Sequence, residues 1–383
     1  MPFPITYVLD QPALSETFIR RELEQLLRRS WPIDARYLKN GPNLLKSSLS
    51  SCPTAFRWRF FKCACGRVLS ELFHAPRHAL RIIRRLPQAA YLVKKVSDTD
   101  CRLIHAHFAG ITADLAAIAA QTVRIPWTCG VHAHDVFTIS PHTLNRRLHS
   151  VARVVACSQQ AANAVLASGL PPESVSVIHH GLPINDFSFD TIQPDEAIFC
   201  ACRLERKKGL DTLLQACALL LERGLHFACV IAGTGPCQHE LEKLRKQLGL
   251  EQTVFFAGWL SQDETRSRMM DASMFVLPSR RMPDGDRDGI ANILVEAMAI
   301  GTPIVTTTAS AANEVITDGV NGLLVPPDDP AALAEKLALA LTSKELLIHI
   351  AKAGRATAEM TFDGSKNVCQ LEAFFKQATA CSV

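Results

Sequence analysis

DGDRDGIANILVEAMAIGTPIV, residues 284–305, is the stretch around which the chain is organised. It reads as a loop, a helix and a buried strand. Gly289 allows a tight backbone turn. Residues 290–300 are nearly all apolar and predict a helix, which Gly301-Thr302-Pro303 stops. Ile304 and Val305 then begin a β run.

Two acids mark this stretch. Glu296 sits inside the apolar helix, where a carboxylate needs donors from the protein or a ligand. The bland alternative is a charge on a solvated helix face, but no polar stripe flanks it. Asp288, at the helix start, reads equally well as an N-cap or first-turn acid and as a functional group. Eight helical residues span ~12 Å. A glycosidase carboxylate pair is closer, at roughly 5–9.5 Å. Asp288 and Glu296 are therefore placed to grip two ends of one long ligand. Between them the free amides of residues 289–292 form an anion site. Acid, anion site and acid suit a sugar, a diphosphate and a ribose.

Strand-like runs at 197–201, 227–232, 254–256, 274–277, 304–306 and 323–325 alternate with helices. A similar alternation precedes them, at 5–9, 33–38, 101–105, 127–132, 153–156 and 175–179. Strand–helix alternation predicts a doubly wound parallel sheet in each half. In such sheets ligands sit beyond the carboxyl ends of the strands. Arg203 and Lys208 follow the first strand of the second half, where two cations can neutralise a diphosphate without a metal ion. Plain surface charge, with Gly209 as a turn residue, is the alternative. Gly233-Thr234-Gly235-Pro236 reads as another strand-to-helix turn.

In the first half a helix opens at Ser15 as N-cap, with Phe18, Ile19, Leu23, Leu26 and Leu27 on its inner face. His105-Ala106-His107 and His132-Ala133-His134-Asp135 end strands. Residues i and i+2 share a strand face, so each histidine pair could ligate a metal. No acid or cysteine stands at ligand spacing, and no metal is assigned. Residues 56–96 read as two helices broken at Pro76 and Pro87. There Arg57, Arg59, Lys62, Arg67, Arg77, Arg81, Arg84 and Arg85 alternate with Trp58, Phe60, Phe61 and Phe73. Such a pattern fits an anionic membrane surface. An ordinary solvated face is the alternative, and nucleic acid is disfavoured because no motif for it accompanies the patch.

With 383 residues, 48% hydrophobic and 20% charged, the chain suits two globular domains. The boundaries expected are 1–185 and 186–362, with a helix at 363–383 crossing back to the first domain. No apolar run is long enough to span a membrane, and no signal peptide is read at the N-terminus. Thirteen scattered cysteines suit a reducing cytoplasm. Residues 55–95 carry ten basic side chains against Glu71, a net of +9.

The motifs bear a resemblance. The 288–296 spacing resembles the Glu-x7-Glu motif of the retaining family 4 glycosyltransferases, with Asp288 where the family usually has Glu. Arg203 and Lys208 resemble its Arg-x4-Lys motif. His132-Ala133-His134-Asp135 is similar to its His-Gly-x-Asp. Ser15-Glu16-Thr17-Phe18 and His105-Ala106-His107-Phe108 resemble the colanic acid and amylovoran type of exopolysaccharide transferase. Before Glu314, Ala311-Ala312-Asn313 replaces the usual Gly-Ile-Pro.

The resemblance implies an α/β GT-B fold of two Rossmann-like domains facing a cleft. It implies transfer of a sugar from a nucleotide-sugar to an acceptor hydroxyl with retention, without metal or cofactor. Glu296 would hold the ribose and Asp288 the donor sugar. Arg203, Lys208 and the amides of Gly289, Ile290, Ala291 and Asn292 would hold the diphosphate. His132 would lie near the reacting sugar, and Ser15, Glu16, Thr17 and Asp135 on the acceptor side. The acceptor would be a saccharide or lipid-linked, and the protein peripheral on the cytoplasmic face of a membrane. A sugar-nucleotide epimerase of similar fold and a non-catalytic nucleotide-sugar-binding scaffold are the rivals.

Overall fold

The computed structural model describes residues 2–10, 17–38, 48–189 and 197–380. They divide into two units: residues 1–181 with 364–383, and residues 182–363.

The first unit alternates strand and helix. Its elements are β1 (Ile5–Leu9), α1 (Thr17–Arg28), β2 (Ile33–Tyr37), α2 (Arg57–Leu72), α3 (Pro76–Ser97), β3 (Leu103–His107) and α4 (Ile111–Val123). Then come β4 (Trp127–Val131), α5 (Ala133–Phe137), α6 (Pro141–Leu148), β5 (Arg153–Ala156), α7 (Gln159–Ala167) and β6 (Val175–Val177). The strands form one parallel sheet in the order β2-β1-β3-β4-β5-β6. Strand residues point alternately to its two faces. Val8, Ile104 and Ala106 pack into one core with α3 and α4, whereas Ile5, Tyr7 and Leu103 pack with α1 on the other side. Both faces are covered, as a parallel sheet requires.

Three readings of this half need correction. Pro87 does not break the helix, because α3 runs from Pro76, at its first turn, through Pro87 to Ser97. Proline costs the helix one hydrogen bond. Burial of Ala79, Ile82, Ala89, Ala90, Leu92, Val93 and Val96 along one side holds the helix together nonetheless. Leu27 is exposed while its neighbour Leu26 is fully buried, since one residue turns about 100° around a helix. Arg67 is not a surface cation. Its guanidinium is buried, donating to Asp114 at 2.6 Å and to the carbonyls of Arg146 and Arg147.

The second unit repeats the pattern with β7 (Ala197–Ala201), α8 (Leu210–Glu222), β8 (Ala228–Ala232), α9 (Gln238–Gln247), β9 (Val254–Gly258), α10 (Gln262–Asp271) and β10 (Met274–Leu277). It continues with α11 (Asn292–Ile300), β11 (Ile304–Thr307), β12 (Leu323–Val325), α12 (Pro330–Thr342) and α13 (Lys344–Thr361). Its parallel sheet has the order β12-β11-β10-β7-β8-β9. The chain then returns to the first unit as α14 (Gly364–Ala380), whose Val368, Leu371, Phe374, Phe375 and Ala378 enter the core beside Tyr7.

Close backbone packing shapes the loops at the carboxyl ends of β7, β8 and β10. Gly209 has φ +64°, and a Cβ there would lie 2.0 Å from the Pro278 carbonyl oxygen. Gly233 is pressed likewise against the Cys202 carbonyl, 1.9 Å from where a Cβ would be. In the loop before α11 the left-handed residue is Gly285, at φ 89°, and not Gly289. Gly209→Ala should destabilise the second unit by clearly more than ~1 kcal/mol, because strain and clash add. Gly224→Ala is the control. Its φ is +76° but nothing lies within 4 Å of its Cβ position, so it carries the strain alone. Urea unfolding of the two variants should separate the two effects.

Candidate functional site

The second unit gathers charge at the strand ends. Lys208, after β7, places its ammonium 2.8 Å from each oxygen of Asp288. Ser279, two residues after β10, donates its hydroxyl to the same carboxylate at 2.6 Å. Asp288 is 8% exposed and the Lys208 side chain 13%. Burial would lift the Asp288 carboxyl, but the charge of Lys208 and the bonds from Lys208 and Ser279 outweigh it and hold the group below its ordinary value. Burial likewise works against the Lys208 ammonium, and Asp288 more than compensates. Lys207 pairs with Asp286 at 3.2 Å, and Arg280 with Asp211 at 2.6 Å. These bonds stitch the loop after β7 to the loop before α11.

The helix of this stretch is shorter than its sequence pattern predicts. It starts at Asn292, with Ala291 as N-cap, so Ile290 and Ala291 precede it. Asp288 is accordingly neither cap nor first-turn acid, and the ~12 Å helical spacing to Glu296 does not apply across residues 288–291. Leu294 is the first amide to bond back, to the Ala291 carbonyl. The amides of Asn292 and Ile293 therefore head α11 without an intrahelical acceptor. Gly289, Ile290, Ala291 and Asn292 are half-buried, as is Glu296 between buried Val295 and Ala297. Arg203 is 58% exposed at its side chain and pairs with Glu205 at 3.1 Å.

The first unit holds a second group of polar side chains. His105 and His107 share one face of β3, and β1 aligns Tyr7 with His105. Glu22, from α1, accepts from Tyr7 Oη at 3.0 Å and lies 3.2 Å from His107 Nε2. His107 Nδ1 lies 3.2 Å from His132 Nε2. Burial would raise the Glu22 carboxyl, yet the His107 and His105 charges and the Tyr7 hydroxyl bring it down to about 2. Burial, with the charge of His180, His107 and His105, holds His132 well below its ordinary value, so it is a neutral imidazole. His132 follows β4 and precedes α5. It and His134 therefore do not share a strand face. Asp135 accepts the His132 amide at 2.7 Å and the Ala109 amide. Burial pushes Asp135 up to about 6 against those bonds. Phe18 stacks on His180, with ring centroids 3.9 Å apart. A cavity of about 50 Å³ is lined by Phe18, Glu22, His107, His132 and His180 among others. Thr17 opens α1 and is half-buried, while Ser15 and Glu16 lie outside the described residues.

Sequence reasoning missed Glu22 and Ser279. Glu22 lies four residues from both Phe18 and Leu26, on the inner face of α1, which was a usable signal. Ser279 follows a strand end, where ligand-binding groups gather.

The two parallel α/β domains match known proteins both in sequence and in fold. Residues 184–357 match the family described as "Glycosyl transferases group 1", and residues 53–186 match "Glycosyltransferase Family 4". These adjoining matches run from residue 53 to residue 357, so the chain carries glycosyltransferase domains of both kinds. It is 27% identical to the putative colanic acid biosynthesis glycosyltransferase WcaL of Escherichia coli, over 93% of this chain and 95% of that one. The Salmonella typhimurium WcaL is 32% identical over 61% of this chain and 60% of its own length. The amylovoran biosynthesis glycosyltransferase AmsK of Erwinia amylovora is 27% identical over 76% and 74%. Among solved structures, Anabaena HepE in complex with UDP and glucose superposes with a TM-score of 0.74 at 21% identity, covering 97% of this chain and 99% of that one. Sucrose-phosphate synthase of Thermosynechococcus elongatus gives 0.75 at 18% identity, covering 99% of both. These are two parallel α/β domains of the GT-B type. No helix among the described residues is long and apolar enough to cross a membrane.

The Lys208–Asp288 pair carries a signature in acid. The folded-state value of Asp288 is depressed, so its contribution to stability is full above its ordinary 3.8 and is lost as pH falls through the lower folded value. Asp288→Asn should therefore destabilise the chain at neutral pH. The gap to wild type should shrink as pH falls below 3.8, when denaturation midpoints are followed from pH 6 to pH 2.

Proposed function

We propose that the chain transfers a sugar from a nucleoside-diphosphate sugar to an acceptor hydroxyl with retention of configuration, the donor being held by the second unit. The observation that carries this reading is the buried Lys208 ammonium at the strand ends, seated on the Asp288 carboxylate that Ser279 also donates to, with Asp288 four residues ahead of the α11 head. An ammonium has three donors. Two go to the Asp288 oxygens, which leaves one for a phosphate oxygen. Arg203 is exposed and can swing onto the same diphosphate, and the α11 amides add a third source of positive potential. Charge developing on the leaving diphosphate is stabilised by these fixed groups, and the departing phosphate helps to take the acceptor proton. No divalent cation is needed for this step.

Glu296 is proposed to hold the ribose. Asp288 seats Lys208 and retains lone pairs that can meet a donor-sugar hydroxyl. In the first unit, His132 and Asp135 are proposed to lie on the acceptor side. His132 is neutral and suited to hydrogen-bond a sugar hydroxyl rather than to act as a cation. Similarity to exopolysaccharide transferases supports a saccharide or lipid-linked acceptor.

Lys208→Ala should lower turnover by ~10²-fold or more, the cost of a lost transition-state donor. It should also weaken binding of a nucleoside diphosphate while leaving that of the monophosphate nearly unchanged, measured by calorimetry. Equal loss for both nucleotides, or near-normal turnover, contradicts the clamp. Magnesium or manganese added to the assay should not raise the rate.

The surface of α2 and α3 supports docking on an anionic membrane. Trp58, Phe61, Leu69, Leu72 and Phe73 are exposed, with Trp58 at 84% and Phe73 at 83%. Arg57, Lys62, Arg77, Arg81 and Arg84 are exposed around them. Arg59 and Arg85 are tied to the carbonyls of Thr122 and Leu38 and are not part of this surface. Co-sedimentation with vesicles should require anionic lipid. It should weaken between 0.1 M and 1 M salt, as the screening length falls from ~10 to ~3 Å. Neutralising Arg77, Arg81 and Arg84 together should remove the anionic dependence, and unchanged binding would refute it.

A further inference from the structure

We infer that Glu22, His105 and His107 form a binding site for one divalent transition-metal ion of the zinc class, buried in the first unit. His105 and His107 are adjacent on one strand face, and α1 brings in the acid that local sequence spacing lacks. Their ligand atoms all lie within 4.8 Å of one another. In a tetrahedral zinc site, ligand atoms at ~2.0–2.1 Å from the ion are ~3.3 Å apart. His107 Nε2 and Glu22 Oε1 are 3.2 Å apart.

An independent observation comes from His105. Its Nδ1 is bonded to Thr128 Oγ1 at 2.8 Å, whereas its Nε2 is buried with no hydrogen-bond partner. The residue is 0% exposed. A buried polar atom without a partner costs free energy, and a metal ion is a partner to which an imidazole lone pair can donate. The other two ligands are also oriented from outside. His107 Nδ1 faces His132 Nε2, and Glu22 accepts from Tyr7 Oη. Outer contacts of this kind fix the tautomer and direction of metal ligands. Two imidazoles and one carboxylate select zinc or a neighbouring transition ion over magnesium or calcium, which prefer oxygen. The cavity bordered by Glu22 and His107 gives the ion a route in.

The test is metal binding itself, separate from sugar transfer. The full chain, stripped with a chelator, is titrated with Zn²⁺ against a chromophoric competitor. One ion per chain should bind. Glu22→Gln and His105→Gln should abolish that binding, and Thr128→Val should weaken it ~10–100-fold, as expected for an outer contact. Cys157→Ser should leave it unchanged. That variant matters because Cys157, His132 and His180 form another cluster with ligand spacing. X-ray absorption of the zinc-loaded wild-type chain should show imidazole and oxygen ligands without sulfur, a readout that does not depend on any variant folding. Absence of stoichiometric binding overturns the site, and so does sulfur in the coordination shell. Binding that survives Glu22→Gln also overturns it.

Discussion

A lysine ammonium taken out of water must meet a counter-charge, or it loses either its proton or its burial. Lys208 meets Asp288 through both carboxylate oxygens, and Ser279 completes the carboxylate's shell. Much of the second unit serves this arrangement. Gly209 lets the chain turn against Pro278 directly after Lys208, and Lys207–Asp286 pins the neighbouring loop. The parallel sheet brings the ends of β7 and β10 side by side, so residues 70 to 80 positions apart share one charged site. The pair is held in place before any ligand arrives, which is the condition for electrostatic stabilisation without reorganisation.

The first unit is organised by a different constraint. His105, His107 and Tyr7 are placed on a covered sheet face, where each polar atom needs a partner. Glu22 supplies partners for two of them, and His132 continues the chain toward the cavity. α14 covers part of the same face through Phe375, which packs 5.2 Å from the His105 ring. The buried Arg67–Asp114 pair on the opposite face, joined by His78 at 2.7 Å, serves packing.

How much of this was legible in the sequence depends on the range of the interaction. Strand and helix alternation is local, and the twelve strands among the described residues were read within a few residues of their places. The position of Arg203 and Lys208 beyond a strand end was legible because both residues follow one strand. The Lys208–Asp288 contact was not, since it joins loops 80 residues apart. Glu22 was hidden for the same reason, coming from α1 to meet β3 across 85 positions. Helix limits failed where a composition rule competes with geometry. Ile290 and Ala291 are as apolar as the helix they precede, and Pro87 sits in a helix held by burial. Exposure of Arg67 could not be read from a charge pattern, because its partner Asp114 lies in another helix.

The central claim is that Lys208, seated by Asp288, is the contact for the donor diphosphate. A crystal structure of the chain with a bound nucleoside diphosphate tests it most directly. The account predicts a phosphate oxygen within hydrogen-bond distance of Lys208 Nζ and close to the amides of Asn292 and Ile293, with the Asp288 carboxylate still on the ammonium. A diphosphate bound away from Lys208, with the Lys208–Asp288 pair closed to it, would contradict the claim.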